Sequence, residues 1–463
     1  MNNEKIQIGE QGIYKASELG AGRVLVLGFQ HMFAMFGSTV LVPVLTGLSV
    51  ANTLLFAGVG TLLFHLITKK KVPAFLGSSF AFLAGYFAIA PNGEKELLPY
   101  ACFGVAIAGL VYLLLAAAFK VFGAGKVMKF FPPVVTGPII IAIGLNLSAT
   151  AISSCQSNWP VALVAILIVI VCNIWGRGMI KIIPILLGVV GSYLFAAVTG
   201  AIDFSPVRDA ALIGFPIEWD RTVFHIFTGG NTDTGLLLTA IVTIVPISLA
   251  TMMEHIGDIS AISSTVDRNF IKDPGLHRTL MGDGLATTIA SLFGAPANTT
   301  YGENTGVLTL TKVYDPMVIR LAALLAIIFS AFPKFAAIIE VMPSATVGGI
   351  SLILYGMISA VGVRNVVETK VDFSKSRNVL IAAMILVLSI GINYNGAIAF
   401  SIGSVGISLS GLAVGSLVGI IMNAVLPGKD YNFIEDAPNK TGVNFEMVVG
   451  ETLAEQMQKK KKQ

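Results

Sequence analysis

The chain has 463 residues, 55% of them apolar and only 12% charged, and a formal net charge of +4; its mean hydropathy is +0.81. A soluble domain carries about a quarter charged residues, so a water-soluble globular fold is excluded and an integral membrane protein is expected. In such a chain the placement of positive charge matters more than its sum, and nothing points to a nucleic-acid partner.

The first stretch, "MNNEKIQIGEQGIYKASELGAG", is polar and lacks the apolar region of a cleavable signal peptide. Residues 1–22 read as a cytoplasmic N-terminal segment. Cys102, Cys155 and Cys172 lack metal or redox spacing and read as small packing residues. No nucleotide-binding loop, zincin or haem motif appears. That argues against an ATP-driven pump and against an enzyme, and no cofactor is expected beyond a coupling ion.

A helix needs about 20 apolar residues to cross the bilayer core. Candidate spans lie near 23–46, 52–68, 74–89, 98–119, 131–151, 160–176, 179–201, 235–258, 279–294, 297–311, 317–340, 345–362, 378–393 and 397–425, fourteen in all. The third and tenth are short. With the N-terminus inside, the loops on the inner side carry 17 Lys and Arg and those on the outer side 4. The positive-inside rule then supports an even number of spans and two cytoplasmic ends. The tail, residues 426–463, ends in "KKKKQ", a solvated basic end that can also meet anionic lipid.

The two halves echo each other. Gln30-His31 in the first span matches Glu254-His255 in the eighth at an offset of 224, and "FLGSSFAF" matches "NTTYGENTG" at an offset of 222, Phe80 against Gly302. Seven spans separate the equivalents, so the halves are expected to be inverted. Matching polar interruptions in an inverted repeat point to a transporter's midplane binding site. Non-helical backbone survives at membrane depth only where it is buried in protein or lines a cavity. Short extended segments are therefore expected at both interruptions, meeting at the midplane, with half-helices after them.

The ionisable residues deep in the spans are His31, Glu254, His255, Asp258 and Glu303. A charge facing lipid costs at least about 2–3 kcal/mol, so each must face a cavity or a partner. Glu254 and Asp258 are one turn apart on one helix face. A carboxyl group taken out of water favours its neutral form, which is the chemistry a proton-coupled carrier uses. His31 and His255 read first as satisfied structural histidines, with His31 kept as a candidate proton-coupling group. Asp283 reads as a helix-start residue rather than a site member, and Lys334 and Glu340 as interfacial. Two carboxylates with backbone donors and acceptors suit a small, planar, neutral ligand with N–H groups. A phosphorylated or carboxylated one would want Arg or Lys.

Nearly the whole chain, from "QHMFAMFGSTVLVPVLTG" through "FLGSSFAF" and "EHIGD" to "NTTYGENTGVLTLTKVY", resembles the nucleobase–ascorbate transporter family, and within it the bacterial uracil permeases. The resemblance implies an all-α polytopic fold of fourteen spans in two inverted repeats. Residues 23–228 form the first, spans 1–4 core and 5–7 gate; residues 229–425 form the second, spans 8–11 core and 12–14 gate. It implies proton symport of uracil across the bacterial cell membrane by core–gate movement, and often a homodimer in the lipid. Glu254 and Glu303 match the glutamates that hydrogen-bond the base. Phe80, Tyr301 and Gly302 match backbone groups completing the site, and Tyr355 a gate-side residue near it. Uracil permeases of this kind can carry a histidine where this chain has Asp258, which leaves the proton carrier open among Glu254, Asp258 and Glu303. Xanthine and urate carriers usually place an amide at the position of Glu303. A xanthine permease and an anion transporter of the same fold remain the alternatives.

Overall fold

The computed structural model describes residues 8–228, 232–403, 405–434 and 445–447; the expectation for the basic tail falls outside them. The membrane-length helices begin with α1 (Ala21–Thr46) and α2 (Val50–Ile67). Ser49 caps α2 by accepting from the amide of Asn52. Beyond Ile67 the chain is no longer helical; it passes Pro73, forms strand β1 (Leu76–Ser78), and resumes as α3 (Leu83–Ile89) and α4 (Leu98–Phe122). The next helices are α5 (Pro133–Gln156), α6 (Trp159–Ile174) and α7 (Pro184–Val198). Proline in the first turn of each fits a position with no amide hydrogen bond to lose.

The second half repeats this order. α8 (Thr234–Ile244) continues through one 3-10 turn into α9 (Ser248–Val266), and α10 (Leu276–Leu292) follows. Pro296 then precedes strand β2 (Asn298–Thr300), which leads directly into α11 (Gly302–Thr311). α12 (Pro316–Ser330) and α13 (Pro333–Glu340) meet at an 88° bend, where Pro333 removes a helical donor. α14 (Ser344–Glu368) and α15 (Ser376–Tyr394) complete the long helices. Among the described residues, seven helices are long and apolar enough to cross a membrane, α8 and α9 counting as one, or eight if the bent pair is one span.

One expected span is different in kind. The segment 397–425 is helical only in α16 (Gly411–Val425). Before it stand two paired strands, β3 (Ile398–Ile402) and β4 (Val405–Leu409). Ile398, Phe400 and Ile407 alternate along apolar, β-branched stretches with glycines between them, and that pattern favours strand over helix. The eighth span also runs eight residues beyond its expected end, to Val266.

β1 and β2 pair antiparallel, with Leu76 opposite Thr300, Gly77 opposite Thr299 and Ser78 opposite Asn298. Each strand is tied to its preceding helix by the same device. Thr61 Oγ1 donates to Leu76 O, and Thr287 Oγ1 donates to Asn298 O. The packing of the long helices also comes in matched sets: α2 lies on α12 as α10 lies on α4, and α6 lies on α14 as α15 lies on α5. Small residues permit the close approaches. Backbone oxygen of Ala323 stands where a Cβ on Gly58 would be 2.5 Å away, and that of Gly109 stands 2.6 Å from a Cβ on Gly284.

Residues 8–20, which precede the first span, lie along the end of α11. Ile13 N donates to Lys312 O and Tyr314 N to Ile13 O. Tyr14 Oη donates to Val266 O at the last turn of α9.

Candidate functional site

The two extended segments bring their flanking residues to one place. Tyr301 N donates to Phe75 O, and Ser79 N to Ala297 O. The Tyr301 hydroxyl crosses the pair and donates to Ser78 O at 2.9 Å. Beyond the strands lies a cavity of about 510 Å³, within the range for small-molecule sites. One wall is Ser78, Phe80, Glu254, Asp258 and the run 299–303; the other comes from Thr136 and Ile140 of α5, Ile185 and Leu186 of α7, and Leu354 and Ile358 of α14. The site thus sits between the elements carrying the strands and a second group of helices.

Glu254 and Asp258 project from α9 into this cavity, and Glu303 enters it from the first turn of α11. Glu254 Oε2 is buried and has no hydrogen-bond partner among the described residues. Asp258 Oδ2 accepts from Thr300 Oγ1 at 2.7 Å. Glu303 Oε1 accepts from Ser38 Oγ at 2.5 Å. Gly302 is exposed to the cavity, and a Cβ there would meet nothing within 4 Å. The N-terminal amides of α11 therefore face open space, where a helix end favours electron-rich groups.

The cavity continues past Ser264, Thr265 and Val361 to a mouth that includes Lys181, Arg364 and Glu368. Its cationic groups are at this mouth, while the three carboxylates lie deep in it. Leu147 of α5 and Val189 of α7, with Leu83 of α3 and Ile350 of α14, join Phe80 in one apolar cluster, farther along these helices from Lys181 and Arg364.

Phe80, Glu254, Asp258, Tyr301, Gly302 and Glu303 all line this one cavity. Tyr355 and His31 do not. Tyr355 stands behind Phe80, its ring edge-on at 5.5 Å. His31 is fully buried in α1, and its backbone oxygen accepts from Asn304 Nδ2 at 3.0 Å. Asp283, expected to start a helix, is instead in the middle of α10 and fully buried. Its Oδ2 is 3.2 Å from His255 Nδ1. The helix begins earlier than its apolar pattern suggests, at Leu276 after Pro274-Gly275, and this carries Asp283 inward. Ser38 and Thr300 escaped the sequence reading, because buried hydroxyls in membrane helices are usually packing residues.

Membrane-length helices around a largely apolar cavity that holds three carboxylates, at two chain interruptions, are the arrangement of a membrane transporter's binding site. The model of the Permease family (Xan_ur_permease) matches residues 22–397. The chain belongs to this family, the nucleobase–ascorbate transporters. It is 41% identical to a uracil permease of Bacillus subtilis (strain 168) over 411 residues, covering 86% of this chain and 91% of that one. It is 40% identical to the uracil permease of Bacillus caldolyticus over 417 residues (88% and 93%), and 36% identical to that of Escherichia coli (strain K12) over 414 residues (87% and 91%). The fold is similar to the transmembrane domain of the cyanobacterial bicarbonate transporter BicA, with TM-score 0.58, 15% identity and coverage of 87% of this chain and 96% of that one. It is also similar to the murine anion transporter Slc26a9, with TM-score 0.58, 12% identity and coverage of 91% and 69%.

Proposed function

We propose that this protein imports uracil across the bacterial cell membrane in symport with H⁺. The observation that carries the reading is Glu254 Oε2, a buried oxygen without a partner among the described residues, in the same cavity as Glu303 and the open start of α11. A buried polar atom left unpaired costs about 1–3 kcal/mol or more, and a ligand N–H removes that cost. Uracil presents two ring N–H donors and two carbonyl acceptors on a planar, neutral ring. The carboxylates take the donors, the amides at Phe80 and at the start of α11 serve the carbonyls, and Phe80 supplies an apolar face. The names borne by relatives of 36–41% identity support the same substrate. The cations at Lys181 and Arg364 lie at the mouth, not in the depth, so the site does not suit an anion.

We read the chain as fourteen spans in two inverted repeats. Gly77 and Thr299, equivalent at the 222-residue offset, face each other in the antiparallel pair, as a two-fold axis through that pair requires. The matched packing of α2 on α12 and α10 on α4 supports it. Spans 1–4 and 8–11 then form the core, and spans 5–7 and 12–14 the gate. The mouth beside Lys181 and Arg364 opens to the cytoplasm, and both termini are cytoplasmic in the bacterial inner membrane. Sliding of the core against the gate would part the cluster at Phe80, Leu147 and Val189 and open the other side. The proton rides on the carboxylates of the site, with Asp258 as helper. Exposed Leu114, Val121, Val198 and Val387 suit contact with lipid, and a homodimer is the proposed assembly.

The test is uptake of labelled uracil into vesicles containing the purified protein, with and without an inward proton gradient. The expected result is gradient-driven accumulation, blocked by excess unlabelled uracil but not by xanthine. Uptake that only equilibrates removes the coupling; no uptake by the folded protein removes the substrate.

A further inference from the structure

Glu303 is held from a distant part of the chain. Ser38, in the middle of α1 and fully buried, donates from Oγ to Glu303 Oε1 at 2.5 Å. The adjoining Thr39 is built into the strand crossing. Its backbone oxygen accepts from Ser78 Oγ at 2.9 Å, and its hydroxyl stands 3.4 Å from the Tyr301 hydroxyl. The turn of α1 that carries Ser38 is therefore fixed relative to both β1 and β2. On the other side, Glu303 lies in the first turn of a helix that is open on one face, since a Cβ on Gly302 or Gly306 would meet nothing within 4 Å. A long side chain at such a place loses rotamer freedom when it grips a ligand, at a cost that prior ordering removes.

We propose that Ser38 is a positioning residue for the substrate. By engaging Oε1 of Glu303 it fixes the carboxylate plane and leaves Oε2 directed to a ligand N–H, and so sets the affinity for the base. The proposal rests on the reading of the cavity as a uracil site. Ser38 itself does not line the cavity; it acts through Glu303. A hydrogen bond to a charged group is typically among the stronger ones, and its loss is read as weaker binding with the translocation machinery intact.

The experiment compares wild type, Ser38→Ala and Ser38→Thr in vesicles, measuring KM and kcat for labelled uracil, together with uracil binding by calorimetry and melting temperature in detergent. The expected result is a rise of about tenfold in KM and Kd for Ser38→Ala, kcat within about twofold, and recovery towards wild type in Ser38→Thr, which keeps the hydroxyl. Unchanged KM and Kd in a Ser38→Ala protein overturns the proposal. Equal impairment of both variants, or a loss confined to kcat or melting temperature, also overturns it, because packing rather than the hydroxyl is then responsible. A wild-type protein that binds no uracil removes the functional reading itself, a result distinguishable from all of these.

Discussion

Gly77 of β1 stands directly opposite Thr299 of β2. A Cβ on Gly77 would fall 2.5 Å from the Tyr301 ring and 2.6 Å from Thr39 Oγ1. The pair thus joins the two halves at a point where the backbones and one aromatic ring are as close as atoms allow. Gly77→Ala is expected to displace Tyr301, weaken its bond to Ser78 O, and cost about 1–3 kcal/mol, as overpacking does. A thermal melt in detergent together with uptake measurements checks this. A variant with wild-type melting temperature and uptake contradicts the packing described.

Glu254→Gln and Glu303→Gln keep side-chain shape and remove a carboxylate. Each is expected to weaken uracil binding by about 10- to 100-fold, the range for a lost hydrogen bond to a charged group. Calorimetry on the purified variants reads the effect directly. Little change in either would show that the base is not held by these groups.

Asp258 is engaged by Thr300 and lies one turn from Glu254. Asp258→Asn is expected to retain exchange of labelled for unlabelled uracil across the vesicle membrane, but to lose accumulation driven by a proton gradient. Wild-type accumulation by this variant would assign the coupling elsewhere.

Tyr355 contributes through its ring contact with Phe80. Such aromatic pairs are worth about 0.5–1.5 kcal/mol. Tyr355→Phe should therefore leave KM for uracil close to wild type, whereas Tyr355→Ala should raise it a few-fold. A loss in Tyr355→Phe as large as in Tyr355→Ala would give the hydroxyl a direct role.

His255 and Asp283 form a fully buried pair. Removing one member of such a pair strands the other, which costs about 3–5 kcal/mol, while replacing both with apolar residues is often far milder. Asp283→Leu is expected to lower the melting temperature sharply, and the double variant His255→Leu with Asp283→Leu to regain part of it. A single variant as stable as wild type would show that the pair carries no structural weight.

Much of this was legible in the sequence. Composition alone excludes a soluble fold, because 12% charged residues cannot cover its surface. The two interruptions were legible because polar backbone-rich stretches are not tolerated in hydrocarbon without an internal partner. Glu254 and Glu303 stood out because a carboxylate in an apolar helix needs a reason to be there. These are local properties, carried by a residue and its near neighbours in the chain.

What only the tertiary structure decided concerns groups remote in sequence. Asp258 and Asp283 look alike as acids in apolar surroundings, yet one enters the cavity and the other faces His255. Ser38 is one hydroxyl among many, and its bond to Glu303 spans 265 positions. Tyr355 stands behind Phe80 rather than at the cavity surface, and the segment before α16 holds two paired strands rather than helix. The physical reason is the same each time. Sequence periodicity sets which side chains share a face of one element, whereas rotation and packing of neighbouring elements decide what that face meets.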